Sequence, residues 1–409
     1  MAPMRHGIES GDVVASYVGL LCQGKNDFEA IEGFRESRFF QEALGINAVP
    51  SEGTLRQRFD ENAKALLLEA ETAAVDFLVR AKVPLTTLST GQVGLDIDLT
   101  VLDNSGSSKE GVSRTYQKYD GYGAMGAYLG QEGWNVGLKL CPGKDHSQHG
   151  FPDFLKKTIA AARRVTTMPL LLRMDSAHDA AENVVVLNAP ETKADYIIKR
   201  NWRRRDTSDL VEQAKRNDVW EHPRPGKRVA VFSIYEDITW EKITYRVRSV
   251  IRVTERTIDK HGQLQLADYE VDGWWTSLTE TVCNDQTIIA LYRDHGTSEQ
   301  YHSELKTDMD IERLPSGKFA TNALVLQLSA LAYNLLRYQG QRSLMGDVMP
   351  MRHPLKRKRI KTVIQDLIYL AAMVVESGRR LKMLFSRDCP VYDPFKELYT
   401  ELARAAPAG

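Results

Sequence analysis

The chain is poor in cysteine, carries no excess of either charge and holds no long unbroken apolar run. Cys22, Cys141, Cys283 and Cys389 lie far apart with no Cys-x-x-Cys pair. That scatter argues against a zinc site and against a secreted disulfide framework. The most apolar stretch, Ala323 to Leu336, is interrupted by Gln327, Ser329 and Asn334. It is too short to span a bilayer, so it reads as a buried helix and no membrane partner is expected. No apolar core follows the basic residues of the opening MAPMRHGIESGD, and a cytoplasmic address is the default. Lys and Arg together number 54, as do Asp and Glu. A net charge of zero excludes bulk attraction to a polyanion, which leaves local grouping as what matters, and the charges are grouped.

What is present is enough for a sizeable core: 409 residues with 43% apolar side chains. Residues 1–88 read as a helical N-terminal domain. Apolar periodicity runs near Val13 to Leu21 and Phe34 to Leu44, a loop follows at Val49 to Gly53, and Ser51 is placed to cap a long amphipathic helix. From residue 89 the pattern changes. VGLDIDLTVLD, YGAMGAYLG and WNVGLKLCPG alternate as three strands separated by Gly-containing turns. A helix over Phe151 to Arg164, the strand LLLRMD, a helix from about Ala180 and the strand ADYIIKR complete the segment 89–200. Three strands, helix, strand, helix, strand is the order of a ribonuclease-H-like α/β fold with a mixed sheet. Residues 201–284 are β-rich and read as an inserted β subdomain. Helices resume over 285–340, and 341–409 reads as a Pro- and basic-rich break followed by a final helix through Leu381.

Three acidic centres carry the chemistry. Asp96 and Asp98 are two apart on a strand and share a face, which is costly among apolar neighbours unless something positive sits between them. Either can serve as the first centre, with Asp98 preferred. Asp175 ends the strand LLLRMD, and the carboxyl ends of strands are where α/β sheets expose their sites. On the helix after the insertion, Tyr292, His295, Glu299 and Lys306 fall at offsets of 0, 3, 7 and 14, a single stripe if the helix is continuous. Carboxylates from three separate segments suit Mg²⁺, and two such ions about 3.5 to 4 Å apart serve in-line displacement at phosphorus.

This set resembles the DDE transposases of bacterial insertion sequences, the group-one kind with a Tyr-x2-Arg-x3-Glu-x6-Lys signature and a β insertion in the nuclease fold. Here the signature runs from Tyr292 to Lys306 with spacing intact, His295 standing for the arginine. Asp98-Leu-Thr100 matches the family's first Asp-x-Thr, and Asp175-Ser-Ala-His-Asp179 looks like its second segment. The likeness covers about residues 90 to 340. It implies a transposase with Asp98, Asp175 and Glu299 as catalytic metal ligands, two Mg²⁺ ions replaceable by Mn²⁺, and double-stranded DNA as partner, both terminal inverted repeats and target. A homodimer on DNA at the nucleoid is also implied. Tyr292, His295 and Lys306 are then DNA contacts, and Trp275 the position that receives a flipped base. An inactive domesticated DNA-binding relative and a stand-alone nuclease of the same fold remain the alternatives.

Basic patches extend the expected DNA surface. Lys199, Arg200, Arg203, Arg204 and Arg205 open the insertion beside the acidic site, and Arg246, Arg248, Arg252 and Arg256 alternate along one face of a strand. The run Lys356 to Lys361 reads equally as a phosphate grip or a solvated linker. His146, His149 and His178 lack ligand spacing. Tyr116, Lys118 and Tyr119 lie near the active face with no direction fixed by sequence.

Overall fold

A computed structural model describes residues 7–203, 205–217, 220–259, 261–344, 357–378 and 380–405. The helical start comprises α1 (Ser10–Leu21), α2 (Arg38–Leu44) and the long α3 (Glu52–Arg80), with Ser51 accepting the amide of Thr54 at 3.2 Å as the expected cap. Then come β1 (Val93–Asp103), the short β2 (Ser113–Arg114), β3 (Asp120–Leu129) and β4 (Trp134–Pro142). Next are α4 (Phe151–Val165), β5 (Leu170–Met174), α5 (Ala181–Asn188) and β6 (Asp195–Lys199).

β4, β3 and β1 form an antiparallel meander, and β1, β5 and β6 run parallel beside it. This is the ribonuclease-H-like sheet. Strand alternation gives β1 two different faces: Val93, Leu95 and Ile97 pack with Phe154, Ile159 and Leu187 of α4 and α5, so Asp96 and Asp98 turn to the opposite side.

The β-rich segment holds α6 (Ser208–Asn217), β7 (Trp220–Arg224), β8 (Lys227–Trp240), β9 (Ile243–Ile258) and β10 (Leu264–Thr276). It does not close on itself. β10 pairs antiparallel with β6, Trp275 opposite Ile198, so the insertion extends the nuclease sheet to ten strands among the described residues. α7 (Asp285–Asp294), a 3-10 turn at His295–Thr297, α8 (Ser298–Ser303) and a π turn at Glu304–Asp308 follow, then α9 (Phe319–Leu344).

Two expectations are corrected here. α9 is 26 residues long and has the length and composition to cross a membrane, contrary to the reading of that stretch as too short. Most of it is buried, with Leu324, Val325, Leu328 and Leu336 in the same core as Leu55, Phe59 and Ala63 of α3, the place of a core helix. The final helix expected through Leu381 is instead α10 (Ile360–Val363) with a π turn at Ile364–Ile368, then a hairpin of β11 (Ala372–Ser377) and β12 (Arg380–Phe385). Val374 and Val375 favour extended backbone, and Gly378 at φ +57° lies in the connecting turn. α11 (Tyr392–Ala405) closes the described chain.

The basic run is neither linker nor open grip where it is described. Arg357 pairs with Glu304 (2.5 Å) and lies over the Tyr301 ring, Lys358 reaches Asp366 (3.5 Å), and Arg359 forks onto Asp308. Together with Arg337, also on Glu304, these cations fasten α9 and α10 to the end of the glutamate-bearing segment. Lys356 lies outside the described residues.

Candidate active site

Asp98 and Asp175 sit side by side. The last paired rung of the parallel strands β1 and β5 is Ile97 with Met174. One residue further along, the two aspartates emerge at the same level, on strands about 4.8 Å apart. Asp175 then caps a 3-10 turn, accepting the amide of Ala177 at 3.0 Å, and Oδ1 of Asp98 accepts the amide of Leu99 at 2.8 Å. Glu299, at the start of α8, is exposed on the segment that lies over β1 and β3.

Electrostatics ties the three together. Burial first, then Asp175 and more weakly Glu299, push the Asp98 carboxyl up to about 6. Burial raises Asp175 as well. Among the described residues no Lys or Arg pairs with Asp98; His295, held by Asp96, lowers it from a distance, and His302, Nε2 3.8 Å from Oδ2, is uncharged because burial holds its pKa down at about 3. Like charges whose only positive neighbours, His295 and Lys199, act from a distance are what a divalent ion relieves, and an all-oxygen donor set is what Mg²⁺ prefers. The residues present therefore fit the metal. Among the described residues no three such side chains are already drawn into a closed cage, Glu299 standing outermost.

Asp96 has a different employment. Arg173 forks onto both its oxygens at 2.6 and 2.7 Å, and Nδ1 of His295 lies 3.1 Å from Oδ1. Burial alone would raise this carboxyl, but Arg173 and His295 hold it below the usual range. Arg173 also donates to the carbonyl of Leu291 at 2.8 Å, which ties β1, β5 and the end of α7 into one buried knot. The positive group demanded by two acids on one strand face is thus Arg173, and Asp98 is the acid left free.

Several of the expected DNA contacts are buried and paired within the fold. His295 is buried and engaged with Asp96. Arg248 is 2% exposed: its guanidinium donates to Ser233, to the carbonyls of Leu278 and Cys283, and to Asp285. Arg200 is likewise buried, paired with Asp179 and Glu236 and stacked 4.1 Å from the centre of the Trp275 ring. Trp275 is 4% exposed and its indole N–H donates to Glu236 at 2.8 Å, which makes it a core residue joining β10 to β8. Arg252 and Arg256 meet Asp272 and Glu270 across β9 and β10, so the strand face is a ladder of ion pairs.

Other residues are open. Arg203 is exposed, and Arg246 is exposed with a 3.2 Å contact to Asp237, an ion pair worth little in water. Arg204 lies outside the described residues. The stripe of Tyr292, His295, Glu299 and Lys306 is broken by the 3-10 and π turns, and Lys306 is directed to Glu312 at 3.1 Å. Tyr292 is half-buried; burial, then Asp175 and Asp98, raise its hydroxyl pKa, so the phenol borders the site.

Sequence reasoning left out two histidines that belong here. His178 is fully buried, stacked 3.8 Å from Phe151, with Nε2 3.9 Å from Asp175 Oδ1. His302 holds the same relation to Asp98. The available signal was position alone, His178 lying three residues after Asp175 and His302 three after Glu299, about one turn away. Tyr116, whose direction the sequence leaves open, lies beside the acids: burial, then Asp98, raise its phenol, and its hydroxyl lies 3.5 Å from the Leu99 carbonyl.

The raised Asp98 carboxyl makes a stability prediction with a definite sign. Below about pH 4 the acid is protonated in both folded and unfolded chains and has no effect. As pH rises towards 6 the unfolded chain ionises first, and the folded state is penalised in full above about 6. Asp98→Asn is therefore expected to stabilise the metal-free protein at pH 7.5 by about 2–3 kcal/mol. The gain should vanish below pH 4. Denaturant titrations in EDTA at the two pH values measure it; a gain independent of pH would contradict the repulsion described.

A ribonuclease-H-like sheet with acids at the ends of two adjacent parallel strands and a third on a later helix defines a class of proteins with an acidic centre. Within that class, a family model for the transposase DDE domain, group 1, matches residues 3–407, and the chain belongs to that family. No curated protein matches it. Among solved structures, the cryo-EM structure of a piggyBac transposase synaptic complex with hairpin DNA is similar at 10% identity. That likeness covers 100% of this chain and 79% of the other at a TM-score of 0.45.

Proposed function

We propose that this chain is a transposase that cuts the ends of a DNA element and joins them to target DNA. The observation that supports this reading best is the pair Asp98 and Asp175, level on adjacent strands, with Glu299 acting on Asp98 and, among the described residues, no lysine or arginine paired with it. Asp98 sits centrally and would hold both Mg²⁺ ions, Asp175 completing one site and Glu299 the other, with Mn²⁺ able to substitute. When bound, such ions activate the attacking oxygen and stabilise the leaving one at phosphorus.

The chain's own residues do the positioning. The knot of Asp96, Arg173 and His295 fixes the strand ends against the segment leading to Glu299. Tyr292 and Tyr116 flank the acids, where phenols can border a DNA strand, and exposed Arg203 and Arg246 with Lys306 offer phosphate contacts on either side. Two element ends require at least a dimer on DNA.

The test uses duplexes taken from the DNA on either side of the gene, incubated with Mg²⁺, Mn²⁺ or EDTA. Cleavage leaving a 3′-hydroxyl, together with joined products, is expected with either metal and with neither in EDTA. Binding without cleavage would instead identify a retired DNA-binding relative, and hydrolysis that never yields joined strands a stand-alone nuclease.

A further inference from the structure

His302 is the buried polar group nearest the free acid and has no part in the scheme above. Its ring lies 4% exposed between β3 and α8, edge-on to Tyr128 with ring centres 5.2 Å apart. The Tyr128 hydroxyl is 3.4 Å from Nδ1. Donating there, it leaves the single proton of the neutral ring on Nε2. That nitrogen is fully buried and without a hydrogen-bond partner, a costly state for a donor, and it points at Oδ2 of Asp98 from 3.8 Å.

The carboxylate is poised to meet it. Oδ1 of Asp98 is held by the Leu99 amide, which leaves Oδ2 as the oxygen free to meet Nε2. The backbone has made room for the ring. Gly126 is the residue paired with Asp98 across β1 and β3, and a Cβ there would stand 2.8 Å from Cε1 of His302 and 2.9 Å from the Tyr128 ring. Any larger residue opposite Asp98 would drive the imidazole out.

We infer that His302 is a positioning residue for Asp98: oriented by Tyr128, it donates Nε2–H to Oδ2 and fixes the carboxylate in the orientation that receives the cation. This rests on the reading of Asp98 as a metal-holding acid. Outer partners of this kind tune ligand orientation, and their loss weakens metal binding by about 10- to 100-fold. A histidine present merely as filler would show no such effect, because phenylalanine fills the same space.

The experiment titrates the DNA-free protein with Mn²⁺, free ion being read by electron paramagnetic resonance, and records melting in EDTA for each variant. His302→Phe is expected to weaken Mn²⁺ binding about 10- to 100-fold without lowering the melting temperature. His302→Gln, which can return an N–H to Oδ2, should stay near wild type. Gly126→Ala, which displaces the ring while keeping the imidazole, should weaken binding as His302→Phe does. Unchanged Mn²⁺ affinity in both His302→Phe and Gly126→Ala would overturn the role. Asp98→Ala separates the two levels: if it too binds Mn²⁺ normally, the assignment of Asp98 falls and this inference with it; if it alone loses binding, only the positioning role falls.

Discussion

Alanine at Asp98, at Asp175 or at Glu299 is expected to lower metal-dependent cleavage on the order of 1000-fold or more, a loss of about 4 kcal/mol of transition-state stabilisation. Duplex binding and folding should survive each change. The reason lies in where these acids stand. Asp98 and Asp175 project from the ends of β1 and β5 and contribute only local backbone hydrogen bonds, while Glu299 is exposed. None is part of the packing that joins sheet to helices, so removing one takes away a donor to the metal and little else. Asp96, two residues from Asp98, is the internal control. Its loss should damage the fold first, since it leaves Arg173 buried with no counter-charge and takes away the partner of His295. Single-turnover cleavage and band-shift measurements on the four variants decide the matter; substantial cutting by all three active-site variants would sink the assignment.

Much of this centre was legible in the sequence because it depends on local rules. Alternation along β1 put both aspartates on one face, the end of a short apolar strand marked Asp175, and the spacing around Glu299 survived although its helix is broken. The element order gave the mixed sheet. What alternation cannot say is whether a face is covered. Arg246, Arg248 and Arg252 do share a side of β9, yet part of that side lies beneath α7, where Val250 and Trp274 pack with Ile288 and Arg248 finds Asp285. The partners that turn Arg200 inward, Asp179 and Glu236, come from segments some tens of residues away on either side. Trp275 shares Glu236 with it, and no local pattern announces such a pairing. The same holds for His302, whose meaning depends on a glycine on another strand.

Replacing Arg173 with methionine is expected to destabilise the protein by about 3–5 kcal/mol, the penalty for a buried carboxylate left without its partner. Asp96 is 2% exposed and meets both Nε and Nη2 of Arg173, while Nη1 satisfies the Leu291 carbonyl, so methionine strands Oδ2 and that carbonyl and leaves Oδ1 with His295 alone. Pairing the change with Asp96→Leu removes the orphaned charge, and buried ion pairs replaced on both sides by apolar groups commonly regain most of the loss. Denaturant midpoints should therefore recover in the double variant. Cleavage should not recover with them. The knot is also the polar link between the strand ends carrying Asp98 and Asp175 and the end of α7, from which the chain runs to Glu299; apolar side chains can fill its volume but cannot hold the Leu291 carbonyl or the His295 ring in place. A double variant that regains stability yet cuts at least about 100-fold more slowly is the expected signature of misplaced catalytic groups. Full recovery of both would mean that the network serves folding alone, and that the position of Glu299 is set by the cations anchoring Glu304 and Asp308 further along the same segment.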